Sequence, residues 1–253
     1  MDFKRLKEEY KGCFDLHFTE CTDSANSALK RDAALLADGT VLFAGSQASG
    51  RGRFGRAFFS YDGGVYMSVL LKTGIPCENA LSFTTAAAVA VCRALECAGA
   101  KCAEIKWVND VYLNGRKVCG ILTEAVTDPA KGEVSVIVGI GVNLFAPERF
   151  PDEIAGRAGC AFETKNAETE ARFILKLLYE LERLFDGVKN HAPVHIAEYS
   201  DRSFVVGRTV TVIKNGERRS ALVTGITEHC ALDVRYDSGE KATLLSGEIS
   251  IEA

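Results

Sequence analysis

The sequence predicts an α+β fold: a mixed β-sheet with flanking helices, followed by a small C-terminal β-barrel. Three observations carry that prediction. Strand-like and helix-like runs mix through the first part of the chain without a strict βαβ rhythm. After about residue 203 the runs become short and the turns tight. Hydrophobic residues make up 47% of the 253, enough to core one large domain and a small one. The expected division is residues 1–203 and 204–253.

The elements follow in order. Residues 14–19 alternate apolar and polar, as a strand does. Asp23-Ser24 then offers a helix N-cap before a helix over 25–36. Residues 41–44 read as a short buried strand, and 65–71, rich in β-branched and aromatic residues, as the next. An Ala-rich helix is expected over 78–98, stopped by Gly99. Strands are expected at 104–107, 118–126 and 133–143, the last alternating Val134, Val136, Val138, Ile140 and Val142 on one face. Phe173, Leu177, Leu181 and Leu184 give residues 171–185 the stripe of an amphipathic helix. A connection runs from His191 to Ser200. Strands at 210–214 and 221–226 flank an Asn215-Gly216 hairpin turn. Short strands at 234–236, 242–245 and 248–251 complete the barrel, with a turn near Ser238-Gly239.

Charge and cysteine usage narrow the function. A net charge of −4 argues against generic binding to nucleic acid or anionic membrane. The 9 cysteines form no CxxC pair, and the five-residue steps between Cys92, Cys97 and Cys102 are not metal-finger spacing. Residues 1–11 are charged and show no signal peptide, so reduced thiols in a cytoplasm are expected. No run approaches the roughly 18 apolar residues of a membrane span. The 4 histidines show no ligand spacing; His191 and His195 straddle Pro193 and read as surface residues.

Three stretches carry chemistry. Gly50-Arg51-Gly52-Arg53-Phe54-Gly55-Arg56 interleaves residues that permit close backbone approach with planar cationic forks suited to carboxylate and phosphate. It describes a mobile loop that closes on an anion. Gly50, Gly52 and Gly55 match GxGxxG, but a strand follows instead of a helix, so the dinucleotide-binding reading fails on context. A plain surface loop is the other alternative. In Lys106-Trp107-Val108-Asn109-Asp110 two polar groups and a lysine crowd beside a large aromatic, with Lys117 seven residues beyond Asp110. A hairpin turning near Asn114-Gly115 brings Asp110 and Lys117 together; a hairpin with solvated charges and a core tryptophan is the plainer reading. The third stretch is Gly139-Ile140-Gly141-Val142-Asn143, where glycines inside a strand mark close approach by a ligand or another backbone.

Taken in order, these stretches resemble the biotin protein ligases. The family's Gln-Thr-x-Gly-Arg-Gly-Arg-x-Gly-Arg loop reads Gln47-Ala48-Ser49-Gly50 through Arg56 here. Its Lys-Trp-Pro-Asn-Asp reads Lys106 to Asp110, its Lys-x-x-Gly-Ile-Leu reads Lys117 to Leu122, and its Gly-x-Gly-x-Asn reads Gly139 to Asn143. The upstream Asp-Ser-Thr-Asn reads Asp23-Ser24-Ala25-Asn26. Four positions depart: Ala25 lacks the usual hydroxyl, Ala48 replaces Thr, Val108 replaces Pro, and Phe58 stands where Trp is usual.

The resemblance implies a catalytic domain of the class II aminoacyl-tRNA synthetase and biotin ligase type with an SH3-like C-terminal domain. It implies a two-step reaction, in which biotin and ATP give biotinyl-5′-adenylate and a lysine of a biotin carboxyl carrier protein or domain then displaces AMP. Catalytic roles fall to Arg51, Arg53, Lys117 and Asp110. Biotin falls to Ser24, Ala25, Asn26, Gln47, Gly50, Arg51, Arg53, Lys117, Gly120 and Gly139. ATP and adenylate fall to Arg53, Arg56, Lys106, Trp107, Asn109, Lys117 and Asn143. Mg²⁺ is expected with ATP, and no residue is assigned to it. Only about 12 residues precede the first strand, too few for the DNA-reading module that some members carry, so a ligase without repressor function and without a DNA or membrane partner is expected. Monomer and homodimer are both compatible with the sequence. The rival readings are a lipoate or octanoate ligase or transferase, and a regulator that binds biotin or its adenylate without transferring it.

Overall fold

The computed structural model describes residues 1–72, 80–127, 134–214 and 216–250. The expected helix start at Glu78, the strand start at Glu133, the turn residue Asn215 and the strand end at Ile251 lie outside these residues.

A short helix the sequence reading missed, α1 (Phe3–Glu9), opens the chain; the Asp2 side chain caps it by accepting from the Arg5 amide. Then come β1 (Asp15–Thr22), α2 (Ala25–Asp32), β2 (Thr40–Gln47), β3 (Val65–Lys72) and α3 (Ala80–Cys97). Next are β4 (Glu104–Lys106), β5 (Asp110–Leu113), β6 (Arg116–Thr127) and β7 (Val134–Val142). The helices α4 (Asp152–Ala155), α5 (Ala167–Lys189) and α6 (Ile196–Arg202) follow. The strands β8 (Thr209–Lys214), β9 (Glu217–Ile226), β10 (Leu232–Tyr236), β11 (Lys241–Leu244) and β12 (Glu248–Ser250) end the described chain.

The first seven strands form one mixed sheet in the order β1-β2-β3-β7-β6-β5-β4. Among the described strand pairs of this sheet only β1–β2 is parallel, and α2 makes its crossover. The other five strands form an antiparallel sheet in the order β11-β10-β9-β8-β12, the compact C-terminal unit expected from the short runs and tight turns.

Strand alternation divides the large sheet into two unlike faces. On one, Val136, Val138, Ile140 and Val142 of β7 join a core shared with α3 and α5, whose Phe83 and Phe185 rings meet edge to face at 5.4 Å. Among the described residues α3 is the one helix long and apolar enough to cross a bilayer; 67% of it is buried inside the protein. Its Ala- and Val-rich composition answers to that burial, and Ser82, Thr84, Thr85, Arg93 and Glu96 interrupt it, so it is not an unbroken apolar run. On the other face α2 covers only part of the sheet, packing Leu29 and Ala33 on Leu70 and Ile137. The remainder of that face carries glycines and polar residues.

Several boundaries differ from the expected ones. The α2 helix ends at Asp32. The α5 helix starts at Ala167 because Asn166 accepts from the Thr169 amide, with Glu168 and Glu170 in the first turn favouring the dipole. His195 is fully buried at the N-cap position of α6, which corrects the surface reading. Proline two residues earlier only shapes the approach; the imidazole sits between Thr85 of α3, with Nε2 2.9 Å from the threonine Oγ1, and the Cys230 thiol at 3.9 Å.

Candidate active site

The site is built on the second face of the large sheet. Register places Gly120 of β6 opposite Gly141 of β7, Leu122 opposite Gly139, Tyr66 of β3 opposite Gly141, and Ser68 opposite Gly139. The three glycines therefore share one floor. A β-carbon on Gly139 would lie 2.1 Å from the Asn26 Oδ1, and one on Gly141 would lie 2.6 Å from the Phe58 ring. One on Gly120 would meet the same ring at 3.1 Å and Lys117 at 3.3 Å. The glycines are what permits Asn26, Phe58 and Lys117 to come down onto the backbone of the sheet.

The N-terminus of α2 borders this floor. Ser24 occupies the N-cap position, is buried, and spends no side-chain bond on capping. The Ala25 amide donates to Gln47 Oε1 at 2.9 Å, and Gln47 Nε2 lies 3.2 Å from Ser60 Oγ. Asn26 donates through Nδ2 to the Leu122 carbonyl at 3.1 Å and to Glu124 at 3.0 Å, and its Oδ1 accepts from the Ser68 hydroxyl at 2.6 Å. Asp23 pairs with Arg31 at 2.7 Å, and that guanidinium holds its carboxyl below the usual carboxylate range.

The Gly/Arg loop joins β2 to β3 and has a laddered neck. Phe58 donates to the Gly50 carbonyl at 2.8 Å, and Gly52 donates to the Arg56 carbonyl at 2.7 Å. A β-bridge joins Arg51 to Ala57. The tip, Arg53–Gly55, is a single 3₁₀ turn with Phe54 at φ 57°. Arg51 reaches Glu124 at 2.7 Å. Arg53 reaches the Asn109 Oδ1 and the Gly247 carbonyl in the connection between β11 and β12, each at 3.1 Å. Arg56 is exposed.

Across the floor, β4 and β5 place the Lys106–Asp110 stretch. Asn114 and Gly115 sit at φ 50° and 72°, the left-handed pair a two-residue hairpin turn demands. That turn brings Lys117 Nζ to 2.6 Å from Asp110 Oδ1, a charge contact whose angles fall outside hydrogen-bond geometry. The two charges therefore meet, as the first hairpin reading expected, instead of being separately solvated. Asn109 donates to the Ile121 carbonyl at 2.9 Å while accepting from Arg53. Lys106 stands at the end of β4 in register with Asp110. Trp107 is buried, as the plainer reading expected, and its indole donates to the Cys230 carbonyl at 3.0 Å. The Trp107–Val108 peptide is cis. Asn143, at the end of β7, donates to the Gly159 carbonyl at 2.9 Å and is buried.

Ser24, Asn26, Gln47, Arg51, Lys117 and the three glycines thus line one floor, with Arg53, Asn109 and Asp110 along its far rim. Trp107 and Asn143 lie beneath and behind it, tied to neighbouring backbone. Burial raises the Tyr66 phenol to about 12, so this ring, buried beside the floor, stays neutral. Glu124, Ser60 and Ser68 were missed by sequence reasoning. The signal for Glu124 was strand parity, since it shares a face with Gly120 and Leu122.

The matched family models are the biotin/lipoate A/B protein ligase family over residues 18–143 and the biotin protein ligase C-terminal domain over 205–251. A biotin–[acetyl-CoA-carboxylase] ligase of Mycobacterium tuberculosis is 32% identical over 202 residues, 76% of this chain and 71% of that protein. This chain belongs to the biotin protein ligase family. A bifunctional ligase/repressor of Bacillus subtilis is 43% identical over 119 residues, 46% of this chain. The match spans about a third of that relative's length, 36%. The solved biotin protein ligase from Aquifex aeolicus in complex with biotin and ATP is similar in structure, with a TM-score of 0.75 at 27% identity, covering 93% of this chain and 97% of that one. The mixed sheet with flanking helices and the antiparallel C-terminal domain are the biotin protein ligase fold.

Proposed function

We propose that this chain activates biotin with ATP and transfers the biotinyl group to a lysine of a biotin carboxyl carrier domain. The observation that carries the reading is the meeting of Lys117 with Asp110, 2.6 Å apart, at the edge of a glycine floor overhung by the arginine loop. Two anions must react here, and fixed cations on two sides offset their repulsion.

In the first step a biotin carboxylate oxygen attacks the α-phosphorus, the bond to the bridging oxygen breaks, and pyrophosphate leaves. Ser24 and Gln47 bind the ureido head, and Gly50, Gly120 and Gly139 admit the ring and tail. Ala25 contributes its backbone amide through Gln47 where a hydroxyl is usual. Asn26 holds the floor's end rather than reaching over it, since its amide is spent on Leu122, Glu124 and Ser68. Arg51, Arg53 and Lys117 neutralise carboxylate and phosphate. Arg56, Lys106, Trp107, Asn109 and Asn143 form the nucleotide side. In the second step the acceptor amine attacks the acyl carbon and AMP leaves; Asp110 orients that amine and takes its proton. No Ser-His-Asp arrangement is required, because both nucleophiles come from the substrates.

Mg²⁺ enters with the nucleotide. Among the described residues no group of three or more His, Cys, Asp or Glu is arranged to hold a metal, and no residue is assigned to the ion. The free thiols of the described cysteines fit a reducing cytoplasm. Residues 1–203 make the catalytic domain and 204–253 the small one, on this reading.

The test is transfer of labelled biotin to a carrier domain with ATP and Mg²⁺, with lipoate as control. Biotin-specific, ATP-dependent labelling of one acceptor lysine is the expected result. Neither labelling nor adenylate would overturn the reading, and adenylate without labelling would favour a regulator.

A further inference from the structure

We propose that Glu124 is a positioning residue that sets the pose of the Gly/Arg loop by tethering Arg51 to the floor of the site. The inference rests on the ligase reading for its meaning but not for its test.

The carboxylate stands on β6, on the same face as Gly120 and Leu122. One of its oxygens, Oε2, accepts from two donors of opposite character. Asn26 Nδ2, at 3.0 Å, belongs to a buried side chain that is itself fixed by Ser68 and the Leu122 carbonyl. Arg51 Nη2, at 2.7 Å, belongs to a long side chain that is 42% exposed. The carboxylate is only 19% exposed, and Lys30 of α2 faces its other oxygen at 3.8 Å. It is therefore held by rigid structure on one side and holds a flexible cation on the other.

Arg51 is the right residue to hold. It sits in the neck of the loop, bridged to Ala57, one residue beyond the Gly50–Phe58 hydrogen bond. Because the neck is laddered, fixing its direction fixes the direction of the tip that carries Arg53. The same carboxylate grips Asn26, two residues after Ser24, so the biotin-head end of the site and the loop root share one anchor.

The loop supplies its own readout. Trypsin must draw Arg51 into its specificity pocket to cut the Arg51–Gly52 bond, and a guanidinium on Glu124 is withheld. Cleavage after Arg149, whose side chain is 78% exposed and pairs with Asp152 three residues on in every variant, serves as an internal reference. In Glu124→Ala the ratio of Arg51 to Arg149 cleavage should rise about three- to tenfold, the range for losing a partly exposed charge-assisted bond. Glu124→Gln keeps the shape and one acceptor oxygen and should fall between wild type and Glu124→Ala. Adenylate release from Glu124→Ala should quicken by a similar factor. An unchanged or lowered cleavage ratio in both variants overturns the tether. Failure of wild-type protein to biotinylate a carrier domain would instead remove the ligase reading, and the cleavage ratio would still decide whether Glu124 holds the loop.

Discussion

Replacing Gly139 by alanine tests the glycine floor directly. The new β-carbon would fall 2.1 Å from Asn26 Oδ1 and 2.8 Å from its Cγ, so the amide must withdraw by about 1 Å to reach ordinary contact. Asn26 is 3% exposed and makes three hydrogen bonds, at 2.6, 3.0 and 3.1 Å, so withdrawal strains or breaks all three. At a net value of about 1 kcal/mol each, the loss is about 3 kcal/mol. Alanine is better than glycine in a strand by about 0.5–1 kcal/mol, which leaves a net cost of about 2 kcal/mol. For a chain of this size that lowers the melting temperature by about 4–8 °C. The larger effect is on binding, because the displaced amide moves into the space above the floor: biotin affinity should fall at least tenfold, while binding of ATP alone changes little. Thermal unfolding and calorimetric titration with biotin measure the two effects separately. A variant that melts within a degree of wild type and binds biotin equally well would refute the account of why these strands carry glycine.

Other perturbations have equally definite outcomes. Lys117→Ala leaves Asp110 without its cation and should slow adenylate formation about 100-fold or more, followed as biotin-dependent pyrophosphate release; a near wild-type rate removes Lys117 from that step. Arg53→Ala cuts the links to Asn109 and Gly247, should release adenylate faster by about tenfold, and should lower biotin transferred per ATP; unchanged coupling refutes sealing by the loop. Burial, aided by the charge of Arg93, holds His195 down to about 4 against its ordinary 6.5. The unfolded chain therefore takes up its proton first, so this group's contribution is full above pH 6.5 and is lost as pH falls towards 4, by up to about 3 kcal/mol. His195→Gln should flatten that acid limb in melting experiments, and parallel pH profiles for variant and wild type would count against it.

Much of this could be read in the residues because local chemistry and final position agree. The alternation of Val134 to Val142 put the glycines on the opposite face from the core, and the Asn114-Gly115 turn fixed the meeting of Asp110 with Lys117. What escaped depends on distant partners. Nothing local marks His195, whose burial comes from Thr85, 110 residues away, and from Cys230. Glu124 looks like an ordinary solvated strand residue until the register sets it beside Asn26 and Arg51. The short α1 helix lacks a long apolar stripe and buries only Leu6. The stretches that hold Arg56, Lys106 and Asn143 stood out by their own residues, but the placement of these three on the nucleotide side came from the motif match alone.

The indole of Trp107 has a use beyond packing. It is the chain's single tryptophan, and its N–H bonds to a carbonyl in the turn between β9 and β10 of the other sheet. Intrinsic fluorescence therefore reports from one seam of the molecule, where the Lys106–Asp110 stretch meets the C-terminal unit. Emission from the docked state is that of a dry, hydrogen-bonded indole, and parting of the two sheets would wet it and shift the light to the red. Titration with ATP, biotin or denaturant can thus be followed at this seam without attaching a dye, and any rearrangement of the small sheet during turnover has an optical signature already in place.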